Sequence, residues 1–419
     1  MKVIWLINGP IPLIANNANI KMGGDIGWIS SIAEMVSKIE NIDLYILFPQ
    51  LQYKKTIQGH VSRINYYGFY QDKKRSWRQN KRVYNIFTEI LKIIEPDIIH
   101  IWGTEFSQSL DMIEAVKDKD KIIVHIQGLV SVCADFFMES LPLYIKYGFT
   151  LRDFLRNDNI LQAKGKFAKR GINEKIILSN IKNVIGRTDW DKAHVRHINP
   201  NIKYFFCREA VRSAFFEYTW DYNKMEPYTI FMTQGNYPIK GFHFILKAMA
   251  ILKKEYPGIK LYVAGENIVY KGRERLREST YGYYIRTLIA KYQLNKNVEF
   301  VGFQDIKGMI KYFLKANVFA LSSVIENSPN SLAEAQVLGV PSVAADVGGI
   351  SSMVTHRKDC LIYQHNDPIM LANYIRDVFQ SEDLANCLSD SAKTNAKYNY
   401  NADNVILCLQ DIYENLYKN

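Results

Sequence analysis

Residues 323–341 read Ser323-Val-Ile-Glu326-Asn-Ser-Pro329-Asn330-Ser331-Leu332-Ala-Glu334-Ala-Gln-Val-Leu338-Gly339-Val-Pro341. Pro329, Asn330 and Ser331 read as the approach and N-cap of a helix, Leu332 to Leu338 as its run, and Gly339-Val340-Pro341 as its stop. Two carboxylates eight positions apart thus flank a helix start, with Glu326 before the cap and Glu334 in the first turn. First-turn N–H groups have no intrahelical acceptor and lie at the positive end of the helix dipole, so an anion between the two acids would be held there. Phosphate in the middle with hydroxyls on either side, as in a nucleotide sugar, is the cargo this geometry suits. Acids at helix starts also simply complement the dipole, and the pair alone leaves both readings open.

Outward from this stretch, short apolar strands alternate with helical periodicity, the pattern of parallel sheets wound by helices. Strands are expected over residues 3–8, 44–48, 98–102, 122–126 and 183–186, and again over 229–232, 260–264, 298–301, 318–321 and 342–345. A chain of 419 residues exceeds the size at which one core keeps growing, so two doubly wound domains are expected. The expected division is 1–210 and 211–399, with a linker over 207–227 where charged and aromatic residues break the strand pattern. Val405, Ile406, Leu409, Ile412 and Leu416 form a helical stripe with one buried face in the closing segment 400–419. Ligands bind beyond the carboxyl ends of such strands, which makes the cleft between the domains the expected site.

With its neighbours, the Glu326–Glu334 segment resembles the Glu-x7-Glu signature of the retaining glycosyltransferases of family 4. Val298-Glu-Phe-Val-Gly302-Phe303 and Ala316-Asn-Val-Phe-Ala-Leu-Ser322 look like that family's two preceding strands, and Pro341-Ser-Val-Ala-Ala-Asp-Val-Gly-Gly349 like its next. The resemblance covers nearly the whole chain and is strongest over residues 228–363. It implies an α/β GT-B fold, two Rossmann-like domains facing a central cleft, with the acceptor bound by the first, a nucleotide-diphosphate sugar by the second, and a final helix crossing back to the first. The implied activity is metal-independent hexosyl transfer, with retention and without a cofactor, from a UDP- or GDP-type donor to a glycan or lipid-linked acceptor in surface polysaccharide biosynthesis.

The resemblance also implies roles. Glu326 would orient the donor sugar and Glu334 bind the nucleotide ribose. Lys240, in Thr233-Gln-Gly235-Asn236-Tyr-Pro-Ile-Lys240-Gly241, would offset the charge gathering on the departing diphosphate. Gly235, Asn236, Gly302, Phe303, Asn330, Ser331 and Leu332 would complete the donor site. Gly23 and Gly24, in Met22-Gly-Gly-Asp-Ile-Gly27, look like the family's N-domain glycine loop, which lies against diphosphate and acceptor.

Three positions depart from the family pattern. Asn236 stands where arginine is usual, Ser352 where a glutamate follows the Gly348-Gly349 turn, and Gln127, in Val124-His125-Ile126-Gln127-Gly128, where the active-site histidine aligns. His125 is one pleat away on the same face, and a register shift would put it there instead. Asn236 and Gln127 can hydrogen-bond without supplying charge. These departures keep a second class in view, a catalytically weak GT-B protein that binds nucleotide sugar as a sensor or partner subunit. A GT-B epimerase is a third, with a poorer match of acid and base.

Net charge is +11, of which residues 1–200 contribute +8. Residues 54–82 hold nine basic side chains and one acid, interleaved with Tyr66, Tyr67, Phe69, Tyr70 and Trp77. That mixture suits an anionic membrane surface or a lipid diphosphate, or else a solvated loop. Nucleic acid is not expected, since no recognition helix, zinc spacing or RNA-binding sheet motif accompanies the charge. Five scattered cysteines without Cys-x-x-Cys spacing point to a reduced cytoplasmic setting and no structural zinc, and the eight histidines read as surface residues. No apolar run is long enough to span a bilayer, and the N-terminus reads as a first buried strand. The expected location is therefore cytoplasmic, peripheral to the membrane at most.

Overall fold

The computed structural model describes residues 1–21, 27–71 and 77–418. Gly23 and Gly24 lie outside the described residues. The chain divides into two compact units, the first made of 1–132, 167–212 and 399–419, and the second of 133–166 and 213–398.

The first unit is built on eight strands, β1 (Lys2–Leu6), β2 (Asp43–Gln50), β3 (Ile57–Val61), β4 (Ile64–Tyr70), β5 (Ile98–Trp102), β6 (Ile122–His125), β7 (Asn183–Gly186) and β8 (Lys203–Phe206), in the order β3-β4-β2-β1-β5-β6-β7-β8. All pairings are parallel except β3 with β4. Both faces are covered, and the strands are apolar throughout for that reason. Val3, Trp5, Leu44 and Ile46 face one core together with Val405, Leu409 and Ile412 of the closing helix Ala402–Tyr417. Ile4, Leu6 and Leu47 face the other, against Phe87 and Ile90 of the helix Lys81–Ile94. The closing helix is pinned where Tyr413 Oη accepts from Trp5 Nε1 at 2.8 Å and meets His100 Nδ1 at 2.6 Å.

The second unit carries β9 (Thr229–Met232), β10 (Lys260–Ala264), β11 (Val298–Gly302), β12 (Val318–Leu321), β13 (Ser342–Asp346) and β14 (Leu361–Gln364), in the order β11-β10-β9-β12-β13-β14. All pairings are parallel. From β9 the chain winds outward through β10 to β11, then returns to lay β12 on the other side of β9. The crevice beyond β9 and β12 is thus the topological switch point of the sheet.

Several expectations change. Residues 133–166, expected in the first domain, group with the second unit. The 207–227 segment is not a free linker: Phe215 and Trp220 are buried, Trp220 Nε1 donates to Ala316 O at 2.8 Å, and Glu226 accepts from Lys260 and Tyr262, each at 2.6 Å. Within 54–82, Tyr66 and Phe69, three positions apart in β4, point to opposite faces of the sheet, one into each core, which removes two of the five aromatics from any surface. The histidines are not all at the surface either. His100, His125 and His243 are buried. His100 and His125 occupy neighbouring strands and stack with Trp102 at 4.2 and 4.5 Å, and burial pulls the His100 imidazole down to about 3, keeping it neutral. Among the described residues none of the five cysteines is in a disulfide. Among the described residues no helix is long and apolar enough to cross a membrane.

Candidate active site

The loops after β9 and β12 are joined at the switch point of the second unit. Val324 N donates to Ile239 O at 2.7 Å, and Ser322 Oγ donates to Gly241 O at 2.9 Å and Lys240 O at 3.2 Å. Gly241 sits at φ +66, and a Cβ there would lie 1.8 Å from Ser322 O, so only glycine permits this approach. The turn sets Lys240 over Glu326: Nζ donates to Oε1 at 2.6 Å, and Ser323 Oγ donates to the same oxygen at 2.7 Å. A third loop, after β13, closes from the far side. Gly349 N donates to Glu326 O at 3.0 Å, and Gly348, at φ +56, leaves no room for a Cβ, which would fall 1.9 Å from that carbonyl.

Both partners are largely withdrawn from water, with side-chain exposures of 19% for Lys240 and 12% for Glu326. Burial alone would lower the Lys240 ammonium; the Glu326 carboxylate and the Tyr237 ring beside it more than offset this and raise Lys240 above its ordinary value. The lysine therefore stays charged across the physiological range. Of its three donors, one is held by Glu326.

The helix Asn330–Leu338 starts here, with Pro329 as N-cap and without a side-chain cap. Its start lies earlier than expected because Pro329 leads directly into helical geometry, so Glu334 falls in the second turn and is buried at 8% exposure. Leu332 N turns back to Pro329 O at 3.0 Å, while the N–H groups of Asn330 and Ser331 precede any intrahelical acceptor. Leu332 itself is core, and Gly339 ends the helix at φ 76 as the Gly-Val-Pro stop requires.

Other expected donor residues lie on neighbouring loops. Asn236 Oδ1 is buried with no hydrogen-bond partner among the described residues, an acceptor in the β9 loop left for a ligand. Gly235 is packed instead: a Cβ would meet Phe242 at 2.9 Å, which gives the glycine a packing role. Gly302, the last residue of the edge strand β11, has φ +74, and Phe303 just beyond it is 83% exposed, an aromatic face open to stacking. Ser352 lies in the short 3-10 helix Ile350–Ser352 that follows the Gly348-Gly349 turn.

Gln127 belongs to the first unit, just past the carboxyl end of β6, where its carbonyl accepts from Arg187 Nη2 at 2.5 Å. His125 lies within β6, stacked in the core, so the strand register places Gln127 rather than His125 beyond the strand end. Sequence reading passed over the acid beside it. Gly103-Thr104-Glu105 follows β5, Gly103 has φ +99, and Glu105 folds its carboxylate over that glycine while Asn8 Nδ2, beyond β1, donates to it at 3.4 Å. Burial pushes Glu105 up to about 7, its own backbone N–H opposes this, and Glu174 nearby adds to the rise. Glu174 is fully buried and satisfied, accepting from Thr104 Oγ1, Val130 N, Ser131 N and Ser131 Oγ at 2.6–3.0 Å. The available signal was an acid placed immediately after a parallel strand.

Residues 216–395 match the family described as glycosyl transferases group 1. The chain is 24% identical over 275 residues to an uncharacterized glycosyltransferase of Methanocaldococcus jannaschii, MJ1059, a match spanning 64% of this chain and 59% of that protein. Among solved structures, sucrose-phosphate synthase from Thermosynechococcus elongatus superposes with a TM-score of 0.73 at 16% identity, covering 100% of this chain and 99% of that one. Alr3699/HepE of Anabaena, solved in complex with UDP-glucose, superposes with a TM-score of 0.66 at 14% identity, with full coverage of both chains. Residues 216–395 of this protein are thus similar to glycosyl transferases group 1, and the chain that carries them has the GT-B fold.

Proposed function

We propose that the protein is a retaining glycosyltransferase of the family 4 type, moving a sugar from a nucleotide-diphosphate sugar to a glycan or lipid-linked acceptor in surface polysaccharide assembly. The observation that carries the reading is the Lys240–Glu326 pair, desolvated at the β9/β12 switch point beside the open start of the helix Asn330–Leu338. A diphosphate bound there would meet a fixed ammonium and the N–H groups of Asn330 and Ser331. As the glycosidic bond breaks, negative charge grows on the leaving phosphate, and a preorganised cation stabilises that charge more than it stabilises the ground state. Glu326, already oriented by Ser323 and by the Gly349 contact to its backbone, accepts hydrogen bonds from the donor sugar. Glu334, one turn into the helix, receives the ribose hydroxyls, and Asn236 Oδ1 a donor group of the ligand. No metal is assigned to this reading, because Lys240 supplies the positive charge.

Support for a nucleotide-sugar donor comes from HepE, which shares the fold and is seen with UDP-glucose. Retention is tested by NMR of the anomeric proton when transfer or slow donor hydrolysis begins. The same configuration in donor and first-formed product is expected; the opposite configuration rejects the retaining assignment. One observation favours a second reading, a nucleotide-sugar sensor: Asn236 and Gln127 supply no charge at positions where the family pattern has basic side chains. Tight donor binding with no sugar released, in the presence of lipid-linked acceptors, would select it.

A further inference from the structure

The segment 142–156, between the helix Val130–Phe136 and the helix Ile160–Ser179, projects apolar side chains into solvent in a concentration found nowhere else among the described residues. Leu143, Tyr144, Tyr147, Phe149, Leu151, Phe154 and Leu155 are 56–74% exposed within thirteen positions. They occupy two short helices, Leu143–Lys146 and Leu151–Arg156, and the turn between them. Loose chain does not explain the exposure, because the segment is tied down from its inner side. Ile145 is buried, Asp153 accepts from Thr280 N at 2.8 Å and Thr280 Oγ1 at 2.6 Å, and Thr150 Oγ1 donates to Glu278 O at 2.7 Å. Thr150 and Asp153 also form a capping box that fixes the start of the second helix. The outward face is thus held rigidly apolar.

Charge beside the patch identifies what covers it. The second helix packs on the 3-10 helix Gly272–Arg277; in it and its N-cap residue, Lys271, Arg273, Arg275 and Arg277 stand against the single acid Glu274. All five are exposed, and so is Leu276, at 65%. Lys271, Arg273 and Arg275 form no ion pair among the described residues, and Arg156 adds a further exposed cation on the helix itself. An apolar, aromatic-rich face rimmed by unpaired cations matches the boundary between acyl chains and anionic headgroups. A second copy of the chain fits less well, since a two-fold contact through this patch would bring the same cations against each other on a protein of net charge +11.

We propose that residues 142–156 and 271–277 together form a membrane-docking face that seats the second unit on a bilayer bearing anionic lipid. The assignment stands on exposure and charge and does not rest on the transferase reading. It also moves the contact away from the basic 54–82 segment.

The test is co-sedimentation of the full chain with vesicles of phosphatidylcholine alone and with about 30 mol% phosphatidylglycerol, at low and high salt. Wild type should bind the anionic vesicles and lose them as salt rises. The double variant Phe154→Glu/Leu155→Glu, with an unchanged melting temperature because both side chains are exposed, should bind at least about tenfold more weakly. Arg273→Glu/Arg275→Glu should behave likewise, while Lys54→Glu/Lys55→Glu should bind as wild type does. Equal binding to neutral and anionic vesicles, or undiminished binding by Phe154→Glu/Leu155→Glu, overturns the proposal. So does sedimentation velocity showing a dimer that this variant dissociates, because the patch would then be a self-interface.

Discussion

Single residues carry the site, and two glycines set its dimensions. Gly241 and Gly348 combine positive φ with a neighbouring carbonyl where a Cβ would stand, so Gly348→Ala should cost about 2–4 kcal/mol of stability. Donor binding should fall with it, because the Glu326 backbone moves; chemical denaturation alongside donor titration measures both. Lys240→Ala removes the partner of a nearly buried carboxylate and should lower stability by about 1–3 kcal/mol. Its larger effect should be on kcat, with donor KM changed less, if the ammonium acts mainly on the leaving diphosphate. Glu105 gives a pH signature. Its carboxyl is raised from 4.5 to about 7 in the folded chain, so the folded state binds that proton more tightly than the unfolded state. Stability should therefore fall as pH rises from 4.5 to about 7 and level off above, and Glu105→Gln should flatten part of that slope in melts recorded across the window. Asp111, raised by burial to about 7 as well, should retain the remainder.

At the scale of elements, most of the parallel strands were legible because both-face burial makes each a short apolar run between helical repeats. β3, β4 and β8 were not, and neither was β14. β4 alternates buried Tyr66 and Phe69 with half-exposed Tyr67 and Tyr70 amid lysines, so its composition reads as a basic surface loop until its pairing with β2 is known. The start of the helix Asn330–Leu338 was misjudged for a related reason. Asn330 and Ser331 are cap-forming residue types, but Pro329 takes the cap position, which displaces Glu334 by about half a turn. The Lys240–Glu326 pair itself lay beyond sequence reading, because the two residues are 86 positions apart and meet only through the β9–β12 adjacency. Glu334→Ala should weaken nucleotide binding at least about tenfold if the carboxylate receives two ribose hydroxyls. Its burial now makes a stability loss of about 1–2 kcal/mol the expected accompaniment. Unchanged nucleotide affinity would remove Glu334 from the site.

For the whole molecule, the chain does not part into two halves in sequence order. Residues 133–166 leave the first unit to join the second, and residues 399–419 return from the end of the chain to the first. The apolar stripe Val405, Ile406, Leu409, Ile412 and Leu416 gives a helix with one buried face, and the return to the first unit was expected only from the family resemblance; the departure was not legible, since its helices are too short for periodicity to reveal a partner. Tyr413→Phe should cost about 1–3 kcal/mol by leaving Trp5 Nε1 and His100 Nδ1 without their shared hydroxyl, and should loosen the closing helix first in hydrogen exchange. The central claim, that the switch-point crevice of the second unit holds a donor diphosphate against Lys240, is tested most directly by titration calorimetry. UDP-, GDP-, ADP- and dTDP-sugars would be run against wild type and Lys240→Ala, with mass detection of released sugar. The account predicts that one nucleotide class binds wild type and is slowly turned over, and that Lys240→Ala abolishes release while retaining measurable binding. Failure of every donor to bind, or equal release by the variant, would contradict it.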